Sequence, residues 1–250
     1  MRKPVFAANW KMHLGPTQAR AFMAAFTARW TPRSDRSIIF FPPALSVTTV
    51  VHALGARKDL ATGVQNIWSE EKGAFTGENS APMAKDAGAS YALVGHSERR
   101  HVLGETDEQT ARKCVVAARS GLIPILCVGE LLAEREAGTT TEVVLRQLKT
   151  GLSGLGNDVI ASMAIAYEPV WAIGTGKTAT PDDAAEVHAE IRRELAAKLG
   201  SATAAEVPIL YGGSVNSGNA KSLMAANDVD GLLVGGASLD VDGWAAICDT

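Results

Sequence analysis

The sequence predicts an α/β chain closed as a single (β/α)8 barrel over residues 1–250, and three observations carry that expectation. Eight short, nearly continuous apolar segments recur along the chain, alternating with helical stretches. Segments of this kind read as buried parallel strands, because helices cover such a sheet and leave no wet face to impose polar alternation. All eight are alike, and no composition shift or low-complexity linker divides them. A length of 250 residues suits such a barrel as one domain. A doubly wound open sheet is the other arrangement of alternating strands and helices, but its edge strands would differ from its central ones.

Val5-Phe6-Ala7-Ala8 is the first strand and ends in Asn9-Trp10-Lys11. Ala19, Phe22, Met23, Phe26 and Trp30 then recur at helical spacing, an apolar face that Pro32 closes. Ile38-Ile39-Phe40-Phe41 is the second strand, stopped by Pro42-Pro43. Val47, Val50, Val51 and Leu54 mark the next helix, ended by Gly55. Residues 60–64 form the third strand. A longer loop, 68–78, carries Gly73-Ala74-Phe75-Thr76-Gly77. Its Trp68 and Phe75 expose apolar surface unless something covers them, and a second subunit is one natural cover.

Residues 82–87 form a short helix, and Tyr91-Ala92-Leu93-Val94 is a fourth strand running into Gly95-His96-Ser97-Glu98-Arg99-Arg100. Residues 110–118 are helical, 123–128 are the fifth strand, 142–149 are helical and 160–167 are the sixth strand. Thr180-Pro181-Asp182-Asp183 starts a helix with a capping threonine, a proline in the first turn and an acid three positions after the cap. Val187, Ile191, Leu195 and Leu199 mark its buried face, and Gly200 ends it. Residues 208–211 are the seventh strand, leading to Gly212-Gly213-Ser214, and 231–234 are the eighth, leading to Gly235-Gly236.

Composition narrows the function. The formal net charge is -3 with no basic tail, so nucleic acid is not an expected partner. Cys114, Cys127 and Cys248 are too scattered for a disulfide framework and fit a reducing compartment. The N-terminal apolar piece is too short for a signal peptide, and no apolar run has the length of a membrane span. A soluble, cytoplasmic protein is expected. No His, Cys and acid cluster has metal-ligand spacing and no GxGxxG turn occurs, so neither metal nor cofactor is expected.

In such a barrel, function belongs to the loops after the strands. Asn9 and Lys11 follow the first strand, His96 the fourth and Glu168 the sixth. The small-residue turns after the seventh and eighth strands can present backbone N–H groups to a phosphate, opposite a lysine. The chain is organised around Ala166-Tyr167-Glu168-Pro169-Val170-Trp171-Ala172-Ile173-Gly174-Thr175-Gly176-Lys177. One carboxylate stands at the strand tip, followed by a loop with an apolar middle between Pro169 and two glycines. Residues 169–177 suit a lid that excludes water from a small ligand. The same residues would also serve a surface loop whose tryptophan packs on a neighbouring helix. Beneath a lid Glu168 would lose solvent, and its proton affinity is expected to rise toward that of a general base. His96, at a strand-to-helix junction, is expected to stay neutral and donate a hydrogen bond. His13, His52, His101 and His188 have no such setting. Cys127 reads as a buried strand residue.

The chain resembles the triosephosphate isomerases from residue 5 to residue 240. The resemblance lies in Asn9-Trp10-Lys11-Met12, residues 73–78, residues 95–100, Cys127-Val128-Gly129-Glu130, the 166–177 stretch, Tyr211-Gly212-Gly213-Ser214 and Val234-Gly235-Gly236. It implies that Glu168 abstracts and returns a carbon-bound proton while neutral His96 polarises the carbonyl and serves the enediolate oxygens. It implies that Lys11 supplies positive charge, that Asn9 hydrogen-bonds beside it, and that Gly174, Ser214, Gly235 and Gly236 hold phosphate. Tyr211 and Ser214 would latch the lid by reaching residues 176–179. The implied reaction interconverts dihydroxyacetone phosphate and D-glyceraldehyde 3-phosphate in glycolysis and gluconeogenesis, with no net redox change and no cofactor. The resemblance also implies a homodimer in which the Phe75-Thr76 loop enters a second subunit. His13 stands near that interface, where many members have Asn, and its protonation below about pH 6.5 is expected to weaken the dimer. A catalytically silent phosphosugar-binding barrel would need only the phosphate turns, whereas this chain also has Lys11, His96 and Glu168.

Overall fold

A computed structural model describes residues 3–173 and 178–250; the lid expectations for Gly174, Thr175, Gly176 and Lys177 lie outside the described residues. Eight parallel strands close in sequence order: β1 (Val5–Asn9), β2 (Ser37–Phe41), β3 (Leu60–Val64), β4 (Tyr91–Val94), β5 (Ile123–Val128), β6 (Ala164–Tyr167), β7 (Ile209–Tyr211) and β8 (Gly231–Val234). β8 returns to β1 with Val5 opposite Gly231, which leaves no open edge.

Side chains alternate across each strand, so one set fills the barrel and the other meets the helices. Ala7, Ile39, Phe41, Leu93, Ile125, Cys127, Ala166, Leu210 and Leu233 pack together as the inner set. Phe6, Phe40, Val94, Leu126, Ile165 and Leu232 belong to the outer core with the helices. Both sets are buried, which is why the strands read as continuous apolar runs. The same alternation carries Asn9 beyond Ala7, and Glu168 beyond Ala166, into the mouth at the strands' C-terminal ends.

The helix Pro16–Arg29 buries the predicted face against β1 and β2, where Trp10 meets Phe22 edge-on at 4.9 Å and Phe26 stacks on Trp30 at 5.9 Å. The helix Pro181–Leu199 starts with the expected reciprocal cap between Thr180 and Asp183. The helix Asp107–Arg119 carries a similar cap between Thr106 and Gln109 and begins before the predicted residue 110.

The sixth strand differs from the expectation over 160–167. Residues Asn157–Ser162 form a helix with Ile160 buried, and the strand begins only at Ala164. A short apolar run cannot be assigned by periodicity alone, because a helical turn and a strand bury it equally well. The closing helix Val241–Cys248, with Trp244 buried against Phe40, was not predicted either.

His188, fully buried in the helix Pro181–Leu199, shapes the acid stability of the fold. Its Nδ1 lies 2.9 Å from the Asp228 carbonyl, its ring meets Tyr167 edge-on, and its Nε2 has no partner among the described residues. Burial pushes its pKa down to about 4, against an ordinary 6.5. Between those values the unfolded chain binds a proton that the native one refuses, so stability falls as pH falls. The expected loss is about 1.4 kcal/mol per pH unit, or about 3 kcal/mol across the window. Denaturant unfolding of wild type and His188→Gln should show the wild-type advantage shrinking from pH 6.5 to 4; parallel curves would refute this assignment.

Candidate active site

The mouth of the barrel holds a cavity of about 270 Å³, lined by Asn9, Lys11, His96, Glu168, Ile173, Gly212, Gly213, Ser214, Val215, Leu233, Gly235, Gly236 and Ala237. Strand tips on opposite sides of the barrel thus bring together residues far apart in sequence. Of the predicted site residues, Asn9, Lys11, His96, Glu168, Ser214, Gly235, Gly236 and the lid residue Ile173 share this cavity. Gly174 lies outside the described residues. Phe75, Thr76 and His13 do not line it.

Glu168 is buried, and every partner it has is a donor. Its Oε2 accepts the Ser97 backbone N–H at 2.9 Å, and its Oε1 accepts the Ser97 hydroxyl at 3.3 Å. His96 Nε2 stands 3.0 Å from the same Oε1. On the other side of the ring, Nδ1 accepts the Glu98 backbone N–H at 3.2 Å. That bond occupies the Nδ1 lone pair, which makes Nε2 the donor of the neutral ring.

Two electrostatic expectations reverse in this arrangement. Burial raises the proton affinity of Glu168, but His96, the Ser97 N–H and Lys11 together hold its carboxyl below the ordinary carboxylate range. Burial likewise opposes imidazolium at His96, but the facing Glu168 carboxylate outweighs it and lifts the histidine above its ordinary value. Their direct contact couples them, and each favours the other's charge.

Lys11 has φ 50, in the left-handed region that side chains seldom adopt. Two side chains hold that turn: the Asn9 Oδ1 accepts the Lys11 N–H at 3.0 Å, and Gln65 Nε2 donates to the Lys11 carbonyl at 2.8 Å. Lys11 Nζ pairs with Glu98 at 2.7 Å. A Cβ at Gly235 would come within 3.1 Å of Lys11 Cε, so the missing side chain lets the cation lie along the glycine turn. Beside it the β7 turn is equally close-packed. A Cβ at Gly212 would stand 2.9 Å from Glu168 Cγ, and one at Gly213 would stand 2.2 Å from the Tyr211 hydroxyl. Tyr211 itself is buried behind the cavity, and burial pushes its hydroxyl up to about 12, against a smaller opposite pull from the Ala179 backbone. The Tyr211 hydroxyl has no hydrogen-bond partner among the described residues.

Several residues here went unassigned in the sequence. Ser97 and Glu98 stand inside the 95–100 motif, but only the fold shows Ser97 docking Glu168 and Glu98 holding both His96 and Lys11. Arg100 braces the β4 and β5 tips by donating to the Gly95 and Cys127 carbonyls while pairing with Asp107. Glu130 is fully buried beneath Trp171, accepting its indole N–H at 2.8 Å and the Tyr167 hydroxyl at 3.1 Å. Burial raises the Glu130 carboxyl above its ordinary value. A buried acid has no signature in a single sequence. Among the described residues, no group of three or more His, Cys, Asp or Glu side chains is placed to hold a metal ion, and no helix is long and apolar enough to cross a membrane.

Known proteins resemble this chain along its whole length. A family profile described as triosephosphate isomerase matches residues 4–250. The triosephosphate isomerase of Moorella thermoacetica is 48% identical over 248 residues, covering 99% of this chain and 98% of its own. That of Herpetosiphon aurantiacus is 49% identical over 239 residues, covering 96% and 95%. That of Solibacter usitatus is 47% identical over 247 residues, covering 99% of each.

Proposed function

The chain belongs to the triosephosphate isomerase family and is an isomerase of triose phosphates; we propose that Glu168 is its proton-transferring base, served by His96, Lys11 and Asn9. The reaction interconverts dihydroxyacetone phosphate and D-glyceraldehyde 3-phosphate. The observation that carries this assignment is the convergence of one carboxylate, one imidazole presenting Nε2 and one lysine on a small cavity walled by two glycine turns.

The substrate phosphate sits against Ser214 and the Gly235-Gly236 turn, where backbone N–H groups and Lys11 answer its charge. Its carbonyl oxygen then faces His96 Nε2 and Asn9. Glu168 takes the proton from C1 of dihydroxyacetone phosphate, the C–H pair forms the C1=C2 bond, and the carbonyl pair moves onto oxygen as an enediolate. His96 stabilises that oxygen and carries a proton between the two oxygens. Glu168 then returns its proton to C2, which completes the aldehyde. No electron leaves the substrate, so the reaction requires no redox partner.

This sequence restores the proton affinities expected of the working groups. When the substrate carbonyl takes the His96 Nε2–H, Glu168 loses its strongest partner and remains buried. Desolvation then dominates and raises its proton affinity, while the imidazole no longer faces a carboxylate and stays neutral. Exclusion of water by the apolar lid residues Val170, Trp171, Ala172 and Ile173 protects the enediolate, which otherwise expels phosphate. Turnover by the purified protein tests the reading; its absence, with tight binding of a phosphorylated enediolate mimic, would leave a phosphosugar-binding barrel.

We place the working form in the cytoplasm as a homodimer. All three cysteines are buried and unpaired, as a reducing compartment allows. Met12 (93% exposed), Leu45 (83%), Phe75, Met83, Val102 and Leu103 expose apolar side chains in the segments that follow β1 to β4. A groove of about 400 Å³ that includes Val47, Val64, Gln65, Met83 and Arg99 runs there. A second copy's Phe75-Thr76 tip, with Phe75 packed on Trp68 at 5.3 Å, is an apolar insert for such a groove. Gln65 lines the groove and holds the Lys11 turn, which links assembly to activity. Phe75→Asp is therefore expected to sediment at the mass of one chain, where wild type sediments at two, with activity reduced about tenfold through a loosened Lys11. A Phe75→Asp dimer of full activity would contradict the interface. His13, exposed two positions from Lys11, stands on the same loop.

A further inference from the structure

We infer that Arg135 is a positioning residue for this reaction: it ties the backbone behind Glu168 to the start of the helix Pro181–Leu199, fixing the separation of the flanks 169–173 and 178–183. The inference rests on Glu168 being the base.

Arg135 lies in the short helix Leu132–Glu136 that follows β5. Its guanidinium carbon stands 4.8 Å from the centre of the Trp171 ring. Its Nη2 pairs with Asp183 Oδ1 at 2.5 Å, and its Nη1 is 3.8 Å from Glu130 Oε1. Each of these three partners is itself anchored. Trp171 donates its indole N–H to Glu130, and the Val170 N–H donates to the Glu130 carbonyl at 3.1 Å, so the chain just beyond Glu168 is pinned to the β5 loop. Asp183 divides its two oxygens. Oδ2 accepts the Thr180 N–H and hydroxyl, which caps the helix, and Oδ1 takes Arg135.

Arg135 thus touches both sides of the 174–177 segment without contacting the substrate cavity. Only a planar guanidinium can stack on an indole with its face and pair with a carboxylate at its edge; an ammonium does one or the other. The side chain is 29% exposed, so solvent is open to it, and yet three groups hold it. A tie of this kind fixes where the peptide of Glu168 begins and where the far flank returns. Small displacements there matter, because the base must reach a carbon-bound proton at one defined position.

The test uses the full-length protein and compares Arg135→Met, Arg135→Lys, Asp183→Asn and the double variant Arg135→Met with Asp183→Asn. Three quantities are read: kcat, KM, and inorganic phosphate released per triose isomerised. Phosphate release reports the enediolate breaking its C–O bond to phosphate, the electron pair leaving with the phosphate oxygen. Arg135→Met is expected to lower kcat about tenfold with KM changed less than about threefold, and to raise phosphate release per turnover. Asp183→Asn should move both in the same direction by less, and Arg135→Lys should recover part of the loss. The double variant should be no worse than Arg135→Met, because both substitutions cut one tie. A merely structural arginine would lower the melting temperature and leave kcat and phosphate release unchanged. That outcome, or losses that multiply in the double variant, overturns the inference; Asp183→Asn alone decides it if Arg135→Met does not fold. Glu168→Gln run beside them separates the two readings: an active Glu168→Gln variant removes the base itself, whereas normal Arg135 variants beside an inactive Glu168→Gln remove only the tie.

Discussion

Glu168→Gln is expected to lose about three to four orders of magnitude in kcat while binding a phosphate-bearing substrate analogue within a few-fold of wild type. The amide matches the carboxylate in size and can still accept the Ser97 N–H, so the pocket keeps its shape. What disappears is the ability to take a proton from carbon. The proposed phosphate subsite, Ser214, Gly235 and Gly236 in the cavity lining, is made of groups the substitution does not touch. Loss in kcat with binding preserved therefore separates the base from the cradle. The variant also reports on His96. The carboxylate is what lifts the histidine above its ordinary value against burial. Without it, burial should hold the ring neutral to lower pH than in wild type, which a nitrogen-15 titration of the imidazole measures. An unchanged His96 titration would show that the two groups are not coupled.

Gly129→Ala is expected to cost roughly a hundredfold in rate without changing any group that meets substrate. A Cβ there would stand 1.8 Å from the Glu168 carbonyl oxygen and 2.6 Å from its carbonyl carbon. These are backbone atoms, and they cannot step aside. The Glu168 N–H is bonded to Val128 at 2.8 Å, the Val170 N–H to Glu130, and Gln147 clamps both the N–H and the carbonyl of Gly129. Relief of the overlap must move the peptide of the base by about an ångström, enough for roughly a hundredfold loss in kcat. Overpacking of a fitted site should also destabilise the fold by about 1–3 kcal/mol. Kinetics and thermal unfolding of the purified variant check both effects. Wild-type kcat in Gly129→Ala would mean that the base tolerates displacement, and the close β5–β6 contact would then have no role in catalysis.

The barrel was legible because burial on both faces leaves a plain mark, eight apolar runs bounded by turn residues. The outer limits of β6 were not, since Ile160 is buried by a helix where the pattern allowed a strand. Asn9, Lys11, His96 and Glu168 were legible as polar residues at strand tips, because an inward-facing polar side chain there has few structural uses. The directions of the Glu168 and His96 shifts were not. Each depends on a contact between residues 72 positions apart in sequence, 168 against 96, and no local pattern reports that distance. Glu130 and Arg135 were silent for the same reason. A buried carboxylate and its arginine look, in sequence, like any surface pair on a short helix.

The proposed reaction moves a carbon-bound proton with one carboxylate. The most direct test is to follow D-glyceraldehyde 3-phosphate with the purified protein in deuterium oxide by proton NMR. Dihydroxyacetone phosphate carrying deuterium at C1 is predicted, because a proton held on Glu168 exchanges with solvent before it is returned, and both turnover and label should vanish in Glu168→Gln. Turnover that leaves every carbon position unlabelled and persists in Glu168→Gln would point to hydride movement within the substrate and contradict a carboxylate base.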